Sequence, residues 1–231
     1  MEILPKRIYE TLKDKGISSL YHPNSVMAAC NFLRNRCIMS PGSTDKLGLF
    51  QTSLIPSQVG KNHGIWNDIF TDSADLHKQR GHANSHGPVL FELDIEIIKQ
   101  TYAGKAWVTK SNPGKWETNT KHDRRWFVSA NDLENYFSHG DSDYMVIFRH
   151  CGGKLPIHGH LKKIILDDPR LKTDTYQIDY FSMAYGAITL AMTEGALVAP
   201  VEKRTCHPDC GCLNDYMEGR VEAEKMFSPK A

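Results

Sequence analysis

The chain has 231 residues, with 28 Lys and Arg against 27 Asp and Glu and an apolar fraction of 40%. That length supports one well-buried core, and the near-neutral balance excludes a global field drawing the protein onto nucleic acid or an anionic membrane. Its most apolar late stretch, 185–201, is broken by Glu194 and Pro200 and is too short to span a bilayer, so no membrane partner is expected.

The opening Met1-Glu2-Ile3-Leu4-Pro5-Lys6-Arg7 lacks the apolar run of an export signal, which predicts a cytoplasmic protein. Residues 5–15 read as a short amphipathic helix stopped by Gly16. A strand over 18–21 leads into His22. Asn24 is placed to cap a helix whose apolar positions Val26, Ala29, Cys30 and Leu33 recur at helical spacing. A short strand, Cys37-Ile38-Met39, ends at Ser40-Pro41-Gly42. Residues 41–63 read as a long polar loop. Further strands are predicted over 65–71, 88–93, 144–148 and 161–166, and helices over 130–137 (capped by Ser129 or Asn131) and 178–197.

Residues 109–126 form a second polar stretch. No repeat or low-complexity linker divides the chain. Strands cluster with few helices between them, which predicts a single α+β domain rather than a doubly wound sheet. Within it, 1–170 form the core and 171–231 a helical, Cys-containing C-terminal extension.

Two fragments carry chemical information. Leu20-Tyr21-His22-Pro23-Asn24 is followed by a helix, a short strand ending in Ser40, a loop, and then Gly64-Ile65-Trp66-Asn67-Asp68-Ile69-Phe70 through Leu76 and His77. This order resembles the ADP-ribosyltransferase fold, and in particular the DarT-like toxins that modify nucleic acids. The resemblance covers about 20–100, is weaker over 140–168 and is absent from 180 onward.

It implies a split sheet with flanking helices and a cleft that takes NAD as substrate. In the family a histidine at the His22 position holds the adenosine ribose, and the adjacent backbone holds the nicotinamide amide. Tyr21, Asn24, Ser40, Gly64 and Phe70 complete the expected NAD-binding set, with Gln51 and Lys61 as lid contacts. His77 takes the place of an aromatic residue that stacks on nicotinamide. A histidine there also resembles the related RNA 2′-phosphotransferases. On the residues alone, His22 can equally satisfy backbone groups at a strand-to-helix turn, and two of Trp66, Phe70 and Leu76 are expected in the core.

Breaking the ribose–nicotinamide bond leaves positive charge at the anomeric carbon, which a carboxylate normally stabilises while helping to deprotonate the acceptor. In the family that group is a glutamate opening a later strand. Alignment puts Met145 there, with Asp143 two residues earlier on the same predicted strand face as a substitute. Otherwise catalysis relies on the acceptor and a basic group, or the site is inactive. Arg80 is a candidate for holding the pyrophosphate or polarising the acceptor, or is a surface cation.

On the acceptor side, Lys110, Lys115, Trp116, Lys121, His122, Arg124, Arg125 and Trp126 interleave cations with indoles, a combination suited to single-stranded nucleic acid. Of these, Lys115, Trp116, Arg124, Arg125 and Trp126 are the expected contacts, unless the tryptophans anchor the loop to the core. Six cysteines without an export signal are expected as thiols or metal ligands rather than disulfides. Cys206, Cys210 and Cys212 offer three thiols for zinc with His207, Cys151 or His158, but not at paired C-x2-C spacing, and the sequence assigns no metal.

The expected function is an NAD-dependent ADP-ribosyltransferase acting on single-stranded nucleic acid, RNA favoured over DNA. It would be the toxin of a toxin–antitoxin or phage-defence system, held in check by a protein antitoxin. The alternatives are an RNA 2′-phosphotransferase, and a non-catalytic nucleotide- or nucleic-acid-binding module on the same fold.

Overall fold

The computed structural model describes residues 3–50, 57–100 and 105–230. Its central element is β4 (Val89–Asp94), an apolar run buried on both faces. β4 pairs antiparallel with β1 (Ser19–Asn24) on one side and β8 (Leu161–Leu166) on the other. β9 (Val201–Lys203) adds to β8 in parallel, giving the order β1-β4-β8-β9. Pro23 is tolerated within β1 because β1 is an edge strand of this sheet. A second sheet has the order β3-β6-β5, from Ile69–Thr71, Val146–Arg149 and Lys105–Val108. A two-stranded ribbon pairs β2 (Cys37–Met39) with β7 (Lys154–Pro156). The chain is an α+β fold.

The first helix, α1 (Pro5–Asp14), starts on a proline and buries Ile8, Tyr9 and Leu12. In α2 (Val26–Arg34) the cap is Ser25, whose Oγ accepts from Ala28 N at 3.4 Å. This corrects the expected cap: Asn24 stays in β1 and donates its amide to His22 O at 3.0 Å. The polar stretch 41–63 contains two short helices, α3 (Pro41–Leu47) and α4 (Ser57–Asn62). Ser40 caps the first through Ser43 N, and a proline at its first turn favours it. α5 (Leu76–Arg80) follows β3, and α6 (His122–Arg125) lies within the second polar stretch. α7 (Ala130–Tyr136) takes Ser129 as its cap, one of the two caps expected.

The C-terminal region shares this core. α8 (Tyr180–Glu194) buries Tyr180, Ala184, Ile188 and Ala191 in the same apolar cluster as Phe32 and Leu33 of α2. α9 (Cys212–Glu218) and α10 (Arg220–Phe227) follow, with Tyr216 and Phe227 packed edge to face. Because β9 joins the main sheet, the extension is not purely helical. No helix among the described residues is long and apolar enough to cross a membrane.

Gly87 is the tightest backbone contact beside β1. Its φ is +133°, and a Cβ there would meet Asn24 O at 2.1 Å and Ser25 N at 2.5 Å. Gly87→Ala is therefore expected to lower the unfolding free energy by about 3 kcal/mol. Equilibrium urea unfolding checks this, and a loss under about 1 kcal/mol would show that the segment yields instead.

Candidate functional site

The two larger sheets meet where the end of β3 touches β1. Tyr21 and Asp72 exchange backbone hydrogen bonds, each 2.9 Å, in an isolated bridge. Beyond it the chain turns through Ser73 into α5, which Asp75 caps by accepting from Lys78 N at 3.2 Å. A cleft of about 330 Å³ opens here, with Pro23, Phe70, Asp72, Arg80, His86 and Met145 in its lining. This size falls within the usual range for small-ligand sites.

Asp72 is 7% exposed, and its carboxylate makes no hydrogen bond or ion pair among the described residues. Burial pushes its pKa up to about 7 against the pull of the Arg80 charge. His86, also in the lining, is held below the usual imidazole range by burial and by Arg80. A buried acid that titrates near neutrality in a cleft, with a cation on the same wall, is suited to proton transfer or to stabilising developing positive charge.

Of the residues expected from sequence, Phe70, His77, Arg80 and Met145 are brought together around this cleft. His22 is not in its lining. It is 2% exposed, with Nδ1 2.7 Å from Phe70 O. Nδ1 is therefore the donor, and Nε2 is a buried acceptor with no partner among the described residues. Burial lowers its pKa to about 4, so the ring is neutral at physiological pH. Tyr21 contributes backbone pairing to β1 and the bridge, and Asn24 bonds back to the strand. Ser40 caps α3, and Gly64 takes φ +67° in the turn that ends α4 while its carbonyl accepts from Arg149 Nη2 at 3.1 Å. Gln51 lies outside the described residues.

His77 is 2% exposed, and each ring nitrogen has a close polar neighbour. Nδ1 lies 2.9 Å from Asp167 Oδ2, and Nε2 lies 3.6 Å from Cys206 Sγ and 3.5 Å from Cys210 Sγ. Stacking on nicotinamide, as expected from sequence, would require this ring to abandon a buried carboxylate. The remote partner of the three late cysteines is therefore His77. His207 is exposed and pairs with Asp209 at 3.2 Å, while Cys151 Sγ faces Phe148 O. Asp167 is also held by Arg204 and by Tyr216, whose hydroxyl donates at 2.5 Å. Arg204 reaches on to Asp75 at 2.5 Å, which ties the cap of α5 to the ends of β8 and β9. Burial opposes the charge on Asp167, yet His77, Arg204 and Tyr216 together hold its carboxyl below the usual range.

Asp143 does not share a strand face with Met145. β6 begins at Val146, and Asp143 belongs to the preceding turn. Its carboxylate is paired to Lys115 Nζ at 2.7 Å and accepts from Asn112 N at 3.2 Å.

The indoles of the second polar stretch are likewise not a binding platform. Trp116 and Trp126 are 6% and 2% exposed and pack edge to face, 5.0 Å apart, in a small cluster with Ile65, Phe70 and Ile147. Arg125 lies over Trp116 at 5.3 Å and donates to the carbonyls of Glu117 and Thr118. Lys115 and Arg124 remain exposed. Base stacking needs an accessible ring face, and these rings instead anchor the loop to the core.

Two groups escape sequence reasoning. Asp72 follows β3 within the quoted fragment, and its only signal is an acid directly after an apolar strand. The pairing of His77 with the cysteines has no sequence signal, because at least 129 positions separate them. The sequence matches no protein-family model and no curated protein.

Folded Asp72 keeps its proton up to about pH 7, whereas an unfolded chain releases it near the ordinary carboxylate value of 3.8. The folded state binds more protons across that interval, so this group's contribution to stability falls as pH rises through it and is level above. Asp72→Asn is expected to be about 2–4 kcal/mol more stable than the native chain at about pH 8, converging with it near pH 4. Denaturant midpoints at the two pH values check this, and equal midpoints at both would mean that Asp72 carries no such burden.

Proposed function

We propose that this chain is an NAD-dependent ADP-ribosyltransferase acting on single-stranded nucleic acid in the cytoplasm, with RNA favoured over DNA. The observation that carries the reading is the cleft between β1 and β3, whose lining includes a buried carboxyl of pKa about 7, Asp72, together with Arg80. Phe70, itself largely buried, contributes an apolar edge to the cleft beside the expected nicotinamide position, and Arg80 a cation for the pyrophosphate. As the ribose–nicotinamide bond lengthens, ionised Asp72 in a low-dielectric wall stabilises positive charge at the anomeric carbon. A carboxylate with that proton affinity is also matched to taking the acceptor's proton near neutral pH.

This moves the carboxylate role from Asp143, which is engaged with Lys115, to Asp72. On the acceptor side the support is limited to exposed cations such as Lys115 and Arg124, since the indoles are buried. Enzymatic marking of nucleic acid harms the cell that makes it, so the proposal includes a toxin role and a protein antitoxin. A second reading, RNA 2′-phosphotransferase, draws on Met145, a thioether lining the cleft where the resembled family has its glutamate.

NAD labelled in its adenylate half, incubated with separate pools of RNA, single-stranded DNA and protein, tests both. Label is expected on RNA, reduced about 100-fold or more in Asp72→Asn. Arg80→Ala is expected to lose about ten-fold or more. Loss of a 2′-phosphate from RNA without retained label would favour the phosphotransferase. The absence of both nicotinamide release and label in every pool would overturn both enzymatic readings.

A further inference from the structure

We propose that His77 Nε2 and the thiolates of Cys206, Cys210 and Cys212 form a closed zinc site that fastens the C-terminal segment to α5. The four ligand atoms all lie within 4.8 Å of one another. Cys206 Sγ is 3.6 Å from Cys212 Sγ and 3.6 Å from His77 Nε2, and Cys210 Sγ is 3.5 Å from the same nitrogen. A tetrahedron built from ordinary zinc–sulfur and zinc–nitrogen bonds has edges of about 3.8 Å between sulfurs and about 3.6 Å between sulfur and nitrogen. These three separations already match those edges. Three thiolates and one imidazole in tetrahedral array are soft, neutral-to-anionic ligands of the kind that select zinc.

The surroundings complete the site. His77 Nδ1 faces Asp167 at 2.9 Å, which fixes the tautomer so that Nε2 carries the lone pair toward the sulfurs. Asp167 is in turn held by Arg204 and Tyr216, so the imidazole is aimed by a buried scaffold rather than by a loop. The segment bearing the cysteines is docked on the same helix end independently of any metal. Gly211 N donates to Gly81 O at 2.7 Å, and Asp215 accepts from Ala83 N at 2.8 Å. All four positions are taken by protein, which describes a structural site rather than a catalytic one.

Binding replaces the protons of three thiols by one divalent cation, so loading the metal-free chain with zinc releases about three protons at a pH where the free thiols are protonated. The prediction does not depend on whether NAD is consumed. Metal analysis of the purified full chain is expected to find about one zinc per molecule, retained in Cys151→Ser and reduced at least ten-fold in Cys210→Ser.

Should Cys210→Ser fail to fold, the native chain supplies the second measurement. After stripping with a chelator, titration with cobalt(II) is expected to give the intense visible bands of a tetrahedral ion and a thiolate-to-cobalt band in the near ultraviolet. Zinc should displace the cobalt. A chain that is purified without zinc and binds none when it is added back, or a weak spectrum of an oxygen-ligated octahedral cobalt ion, would overturn the site. So would thiol counting that finds Cys206 and Cys212 joined as a disulfide.

Discussion

The buried carboxylate of Asp167 is the junction on which this architecture depends. It receives an imidazole from α5, a guanidinium from the residue directly after β9, and a phenol from α9, and it lies at the end of β8. Three side chains, His77, Arg204 and Tyr216, converge on two oxygens. Removing one partner from such a network leaves the others buried and uncompensated, which typically costs far more than losing a surface ion pair. The network also sets the wall of the cleft, because Arg204 continues from Asp167 to Asp75, the cap of the helix that carries Arg80. The C-terminal segment is therefore part of the site's construction, although no resemblance extends to it.

Strong local patterns were readable. β8 spans the predicted 161–166, Cys37–Met39 is a strand, and α7 begins at Ala130 behind its Ser129 cap, since an apolar run or a capping serine needs no long-range information. Short elements were not. β5, β7 and β9 have three or four residues each and gain their identity from the strands they pair with. α3 and α4 appeared as loop because their polar sequences show little periodicity, although Ser40-Pro41 is a recognisable helix start.

The site was legible in a similar way. The fragment around Phe70 does reach the cleft, but which side chain faces open space is decided by tertiary packing. His22, Trp116 and Trp126 have the composition of contact residues, yet burial turns them inward. In each tryptophan the indole is held by neighbouring rings and cations, among them Arg149, which lies 4.9 Å from both Trp107 and Trp126 and is itself paired to Asp68. Alternating cations and aromatics along a chain do not distinguish a surface for bases from an internal cation–π stack.

The Tyr21–Asp72 bridge has a mechanical consequence. It is an isolated pair of backbone bonds between two separately hydrogen-bonded sheets, and Asp72 is one of its two residues. Any breathing of one sheet against the other must pivot close to that carboxyl and change how much water reaches it. Sheet motion and acidity are thereby geared together: a wider gap rehydrates the group and makes it a stronger acid, and a narrower, dry one makes it hold its proton until a positive charge develops beside it.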